Sequence, residues 1–226
     1  MTGDPHRHFH DELAEVKNRL LDMSGRAEDA LARAMRALLS RDAALAADIV
    51  TSDRQVDAIE SEIEDTVTNL LALQQPMAKD LRLLLSVLKI ANDLERVGDH
   101  AVNIAQSAER LLAYRTITPE PEMVEMGRLA SDMLRRALDA FVRGDAQVGR
   151  AVCAQDDQVD ALHDSLFRIL ITHMAEDPHT IGAAMEIFLV GRNLERVADL
   201  ATNIAEDVVF IVEGKSIKHR AEVAAK

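Results

Sequence analysis

Tryptophan is absent from this 226-residue chain, tyrosine occurs once, and aromatic residues make up only 3% of it. A core without large rings must come from Leu, Ile, Val, Ala and Met, and a hydrophobic fraction of 48% supplies enough of them. Five prolines and nine glycines leave few places for the chain to break. Both shortages fit long packed helices better than sheets with their turn-rich connections. The single cysteine, Cys153, excludes an intramolecular disulfide and points to a reducing compartment. Cations are the minority, with 26 Lys and Arg against 39 Asp and Glu, for a formal net charge of −13. That balance argues against nucleic acid and anionic membrane surfaces, and favours cations and basic protein surfaces as partners. No apolar run approaches the ~20 residues that span a bilayer. The opening "MTGDPHRHFHDE" lacks the apolar stretch of a secretory signal, and its histidines read as a terminal run. A cytoplasmic protein is expected. A Gly-rich phosphate loop, a zinc-finger spacing and a serine nucleophile motif are also missing, so no catalytic residue is assigned and no enzyme is expected.

What the chain does have is helical periodicity almost throughout. It predicts helices at 9–39, 44–74, 78–113, 120–142, 146–175 and 181–213, an all-α fold of six helices. "SRD", "QQP", "RGD" and "EDP" punctuate them, with "RTITPEPE" (115–122) near the midpoint. The third and sixth helices share a segment. "NDLERVGDHAVNIA" begins at Asn92 and "NLERVADLATNIA" at Asn193, and nine of the thirteen positions 93–105 match 193–205. "DRQVDAIE" (53–60) is echoed by "DDQVDALH" (156–163). Shared composition explains apolar matches but not Glu, Arg, Asp and Asn matched in order. Two tandem, pseudo-symmetric three-helix bundles are the simplest reading, at 1–115 and 116–213, followed by a polar tail at 214–226.

The repeated segments carry acid where a helix should be apolar. On a wheel of 100° per residue, Glu95 falls near the middle of a stripe formed by Leu84, Val87, Leu88, Ala91, Gly98, Val102 and Ala105, with Asp99 at its edge. Glu195 falls likewise among Ala184, Ile187, Phe188, Gly191, Ala198, Thr202 and Ala205, with Asp199 at the edge. In the second helix of each half an acidic row flanks the apolar seam. Asp53, Asp57, Glu60 and Glu64 form the first row; Asp156, Asp160 and His163 repeat it, with Phe167 in place of Glu64. Antiparallel packing of these helices would gather each set into one patch. Crowded carboxylates repel and raise one another's pKa unless a cation intervenes. Asp and Glu one turn apart, about 5.4 Å along the axis, both reach one ion or two neighbouring ions. Oxygen donors suit magnesium, manganese, calcium or iron, and the imidazole of His163 shifts the preference toward iron, manganese or zinc. The expected metal ligands are Asp53, Asp57, Glu60, Glu95 and Asp99, then Asp156, Asp160, His163, Glu195 and Asp199. Arg96 and Arg196 are placed to pair at i+3 with Asp99 and Asp199.

"QQPMAKDLRLLLSVLKIANDLERVGDHAVNIA" (74–105) and "FLVGRNLERVADLATNIAEDVVFIVEG" (188–214) resemble the paired signature of the PhoU family, and the resemblance extends over nearly the whole chain. It implies two similar three-helix bundles, a homodimer, and multinuclear divalent or trivalent metal clusters at Asp53, Asp57, Glu95 and Asp99 and at Asp156, Asp160, Glu195 and Asp199. It further implies a negative regulator of phosphate uptake and of phosphate-starvation signalling. Such a regulator connects the ATPase subunit of the phosphate ABC importer to a sensor histidine kinase and meets the membrane only through those complexes. Two positions depart from the pattern: Ala198 stands where the family often has Gly, and His163 replaces an acid. Two rival readings remain. A carboxylate di-metal oxidase usually pairs two Glu-x-x-His motifs, and only Asp160-Ala-Leu-His163 approximates one. A metal-free adaptor would use the same acids to dock onto basic surfaces.

Overall fold

The computed structural model describes residues 5–52, 54–114 and 120–217. Among them the fold is all-α, in six helical rods. The first half comprises α1 (Pro5–Ser40), α2 (Ala43–Ser52), α3 (Arg54–Gln74) and α4 (Ala78–Leu111). The second comprises α5 (Pro121–Arg143), α6 (Ala146–Cys153), α7 (Asp156–Glu176), a 3-10 turn (Pro178–Thr180) and α8 (Ile181–Glu213). Two of the rods are therefore built from two helices each. The stretch read from sequence as one helix over 146–175 breaks at Ala154 and Gln155. There the Gln155 amide turns back to the Val152 carbonyl at 2.9 Å, and Asp156 and Asp157 open α7 in its first turn. The predicted helix over 44–74 corresponds to α2 and α3, on either side of Asp53.

Local chemistry sets the ends. Asp145 caps α6 by accepting from the amides of Gln147 and Val148 at 2.9 and 3.1 Å. Gly144 closes α5 and Gly214 closes α8 in the left-handed conformation, at φ 64° and 70°, where a side chain would be strained. Pro121 opens α5, where its missing N–H costs nothing. At the turn before α4, Gln75 adopts the left-handed conformation, at φ 46°, just ahead of Pro76.

The two long helices α4 and α8 are the axis of the molecule, and each is about 50 Å long at 1.5 Å per residue. α4 packs on α1, α2, α3 and α8; α8 packs on α5, α6, α7 and α4; α1 also meets α5. The core is aliphatic and thioether, with Leu20, Met23, Leu31, Leu84, Ile90, Leu94, Ile104, Met123, Met126 and Met133 among its fully buried side chains. Methionine fills the irregular gaps that the shortage of rings leaves.

Polar groups cross the α4–α8 contact. Asn193 donates to the Leu189 carbonyl at 2.7 Å, so its side-chain oxygen is the acceptor of a 2.8 Å bond from His100 Nδ1. Burial holds the His100 pKa below its usual value, against the pull of that bond. Lys89 Nζ lies 3.4 Å from Oδ1 of Asp207, whose side chain is buried, and Arg110 Nε lies 2.8 Å from Glu186. The pairings 89 with 207 and 110 with 186 fix α4 and α8 as antiparallel.

Candidate functional site

The expected ligands sit on α3 and α4 in one half and on α7 and α8 in the other, the faces along which each pair of helices packs. Val56, Ile63, Val67 and Leu70 are buried as the seam of α3, and Val159, Leu166 and Leu170 as that of α7. This leaves the acidic rows along the margins of the seams.

In the second half the structure brings the rows together. His163 Nδ1 lies 3.1 Å from Glu195 Oε2 across the α7–α8 contact. The His163 ring stacks on Phe188 at 5.6 Å between centroids, and it lies beside Gly191, where an added Cβ would come within 3.3 Å of Cδ2. Its Nε2 is buried without a hydrogen-bond partner. Asp156, Asp160 and Asp199 are near enough to perturb one another electrostatically. Burial first, then the charges of Asp199 and Asp160, push the Asp156 carboxyl up to about 6, and the Thr202 hydroxyl beside it opposes the rise only in part. Burial and Asp199 also raise Asp160. Asp156 Oδ1 is buried with no hydrogen bond. An orphaned carboxylate oxygen facing like charges is chemistry that a cation satisfies, so these residues fit a metal ion in kind.

The first half is looser. Glu60 accepts from Asn92 Nδ2 at 3.3 Å, while Asp57 and Asp99 are exposed. Asp53 lies outside the described residues. Among the described residues no three His, Cys, Asp or Glu side chains converge closely enough to hold one ion.

The wheel placed Glu95 and Glu195 in mid-stripe, and the structure moves both to the margin. They are half-buried, while their neighbours Leu94 and Leu194 are fully buried at the true centre of the buried face. The reason is that α4 and α8 are covered by several neighbours, so the buried arc is wider than one stripe and is centred elsewhere. Arg196 pairs with Asp199 at 3.0 Å as the spacing predicts, but Arg96 turns back to Asp93 at 3.7 Å. Cys153 is a half-buried thiol, pushed up to about 11 chiefly by burial, and is unreactive at neutral pH.

Sequence reasoning missed the polar seam of Lys89, His100, Asn193 and Asp207. A signal existed: Asp207 shares the i, i+4, i+7, i+11 register of Leu200, Ile204 and Ile211, all buried.

Comparison with known proteins extends these observations over the whole chain. The family model described as PhoU domain matches twice, at residues 20–108 and 123–208. The "phosphate-specific transport system accessory protein PhoU homolog" of Zymomonas mobilis is 38% identical over 212 residues, covering 94% of this chain and 90% of that one. The homolog of the same description from Caulobacter vibrioides is 38% identical over 218 residues, covering 96% and 95%. The crystal structure of PhoU from Pseudomonas aeruginosa superposes with a TM-score of 0.89 at 37% identity, covering 92% of this chain and 100% of that one. That of the phosphate transport system regulatory protein PhoU from Streptococcus pneumoniae gives 0.86 at 30%, covering 93% and 99%. With two domain matches, relatives that align along their full length and the same fold, the chain belongs to the PhoU family.

Proposed function

We propose that this protein is a non-enzymatic, cytoplasmic regulator of phosphate-specific transport that restrains phosphate uptake and phosphate-starvation signalling, as a metal-binding homodimeric adaptor between the importer's ATPase subunit and a sensor histidine kinase. The observation that carries the reading is the double family match, each copy enclosing the repeated Glu-Arg-Val-x-Asp segment. The relatives' names supply the transport system and the accessory role.

In this reading Asp156, Asp160, Glu195 and Asp199 hold metal in the second half. Asp57, Glu60, Glu95 and Asp99 do so in the first, with Asp53 as a further donor. Bound metal would neutralise the converging carboxylates and give a chain of net charge −13 a local positive centre. His163 Nδ1 lies 3.1 Å from Glu195 Oε2, and its Nε2 has no hydrogen-bond partner to give up for a metal. Without an anion-binding loop, the protein senses phosphate through the conformation of its partner transporter rather than by direct capture.

One observation favours a second reading for the first half. Asp57 and Asp99 there are exposed, as docking groups for a basic surface would be.

Two measurements test the proposal. In a bacterium lacking its own family member, this chain should restore repression of a phosphatase reporter in phosphate-rich medium. A reporter that stays constitutive beside folded protein would sink the regulatory reading. Elemental mass spectrometry of untagged protein should find metal that an Asp156→Asn, Asp160→Asn, Asp199→Asn variant loses. Metal-free wild type after loading with iron, manganese and zinc would leave the acids as a docking surface.

A further inference from the structure

Most described arginines of this acidic chain are answered locally. Arg19 pairs with Glu15 and Glu62, Arg26 with Asp22, Arg128 with Glu125, and Arg150 with Glu213. Of the cations not answered in this way, three sit around one groove of about 520 Å³, where α1, the start of α4 and the ends of α5 and α8 meet. Lys17, Lys79 and Arg143 line it, and among the described residues none of them makes an ion pair. Arg143 has an internal explanation, because it lies in the last turn of α5, where a cation complements the helix dipole. Lys17 lies within α1 and has no such reason. Lys79 stands in the first turn of α4, where the dipole disfavours a cation. Between them Leu21, Val142 and Val212 are 40%, 59% and 41% exposed, over a floor that includes buried Leu83 and Ile211. Val212 lies seventeen residues beyond Glu195 on α8, about 25 Å along the axis, so the groove is separate from the acidic patches.

We propose that this groove docks an acidic amphipathic helix of a partner protein, its apolar side chains on Leu21, Val142 and Val212 and its carboxylates on Lys17, Lys79 and Arg143. Charge complementarity selects the occupant: unpaired cations on a chain of net charge −13 attract a partner segment that the rest of the surface repels. Concavity selects its form, because an apolar ridge of a helix fills a groove while a bilayer meets a convex surface.

The test uses the full chain and a fluorescein-labelled peptide with leucines at i, i+3, i+4 and i+7 and glutamates on the flanking positions, read by anisotropy. Binding should weaken with added salt. It should also fall about tenfold in a Lys17→Glu, Lys79→Glu, Arg143→Glu variant whose circular dichroism and melting are unchanged, since rim charges act through screened attraction. Val142→Asp should weaken it separately. A composition-matched peptide with scrambled order should bind poorly; equal binding would reduce the groove to unspecific electrostatics and overturn the proposal. Unchanged binding in both variants would overturn it too. So would binding to vesicles of 70% phosphatidylcholine and 30% phosphatidylglycerol that needs the same cations while the peptide fails, which would reassign the surface to lipid.

Discussion

Replacing Asp156 with asparagine should stabilise the metal-free protein at neutral pH, although it deletes an acidic side chain at the centre of the candidate site. In the folded chain the Asp156 carboxyl is raised from 3.8 to about 6 by burial and by Asp199 and Asp160. The folded state thus holds this proton more tightly than the unfolded chain does. Stability drawn from that preference is complete below 3.8 and is lost as pH rises through about 6. A shift of about two units corresponds to about 3 kcal/mol at full strength. The group is half-exposed, and solvent screening reduces this to about 1 kcal/mol. Asparagine keeps the shape and removes the charge. The expected result in chelator at pH 7.5 is a melting temperature higher by about 2–4 °C, for a chain of this size. At pH 4, where the wild-type carboxyl is protonated in the fold, the two proteins should melt together. If the proposed site takes iron, manganese or zinc, adding that metal should reverse the order, because wild type then gains more from the ligand than the variant does. A lower melting point for the variant at pH 7.5 in chelator, or an equal gain at pH 4, would refute the reasoning.

Gly149→Ala should cost about 1–3 kcal/mol in urea unfolding, as overpacking does, because its Cβ would lie 2.9 Å from the Ala205 carbonyl oxygen, a backbone atom that cannot swing aside. Lys89→Ala should destabilise by about 1–2 kcal/mol at pH 7, since it removes the cation 3.4 Å from a carboxylate buried in the α4–α8 contact. Urea denaturation at pH 7 checks it. Gly191→Ala should push His163 off its seat, because the new Cβ would meet Leu166 at 2.8 Å and the His163 ring at 3.3 Å. The expected signature is a changed chemical shift of the His163 ring by NMR with the helical circular dichroism retained.

The rods and the duplication were legible because each rests on a local signal: a repeat of apolar residues, a proline, or a matched string of letters. The break at Ala154 and Gln155 was not, since neither residue is a helix breaker and only the acids at Asp156 and Asp157 mark the new start. Burial of particular side chains was legible only in part. A helical wheel ranks positions against a single neighbour, whereas α4 has several, and so Glu95 was placed too deep and Leu94 too shallow. The association of Asp156 with Asp199 and of His163 with Glu195 followed from the registers of α7 and α8. The seam between α4 and α8 did not, because a pairing of helices from different halves leaves no mark at short sequence separation.

That seam also bears on why two copies are joined in one chain. In a dimer of identical subunits every contact across the axis occurs twice, so a lysine set against a buried aspartate must be set against it on both sides. Here Lys89 faces Asp207, while the register-equivalent positions hold Leu189 and Ser107. His100 bonds Asn193, while their counterparts are Leu200 and Asp93. Covalent fusion has released the halves from symmetry. One end of the shared axis is free to specialise while the other keeps the fold, and a sequence change in one copy no longer commits the other to the same change.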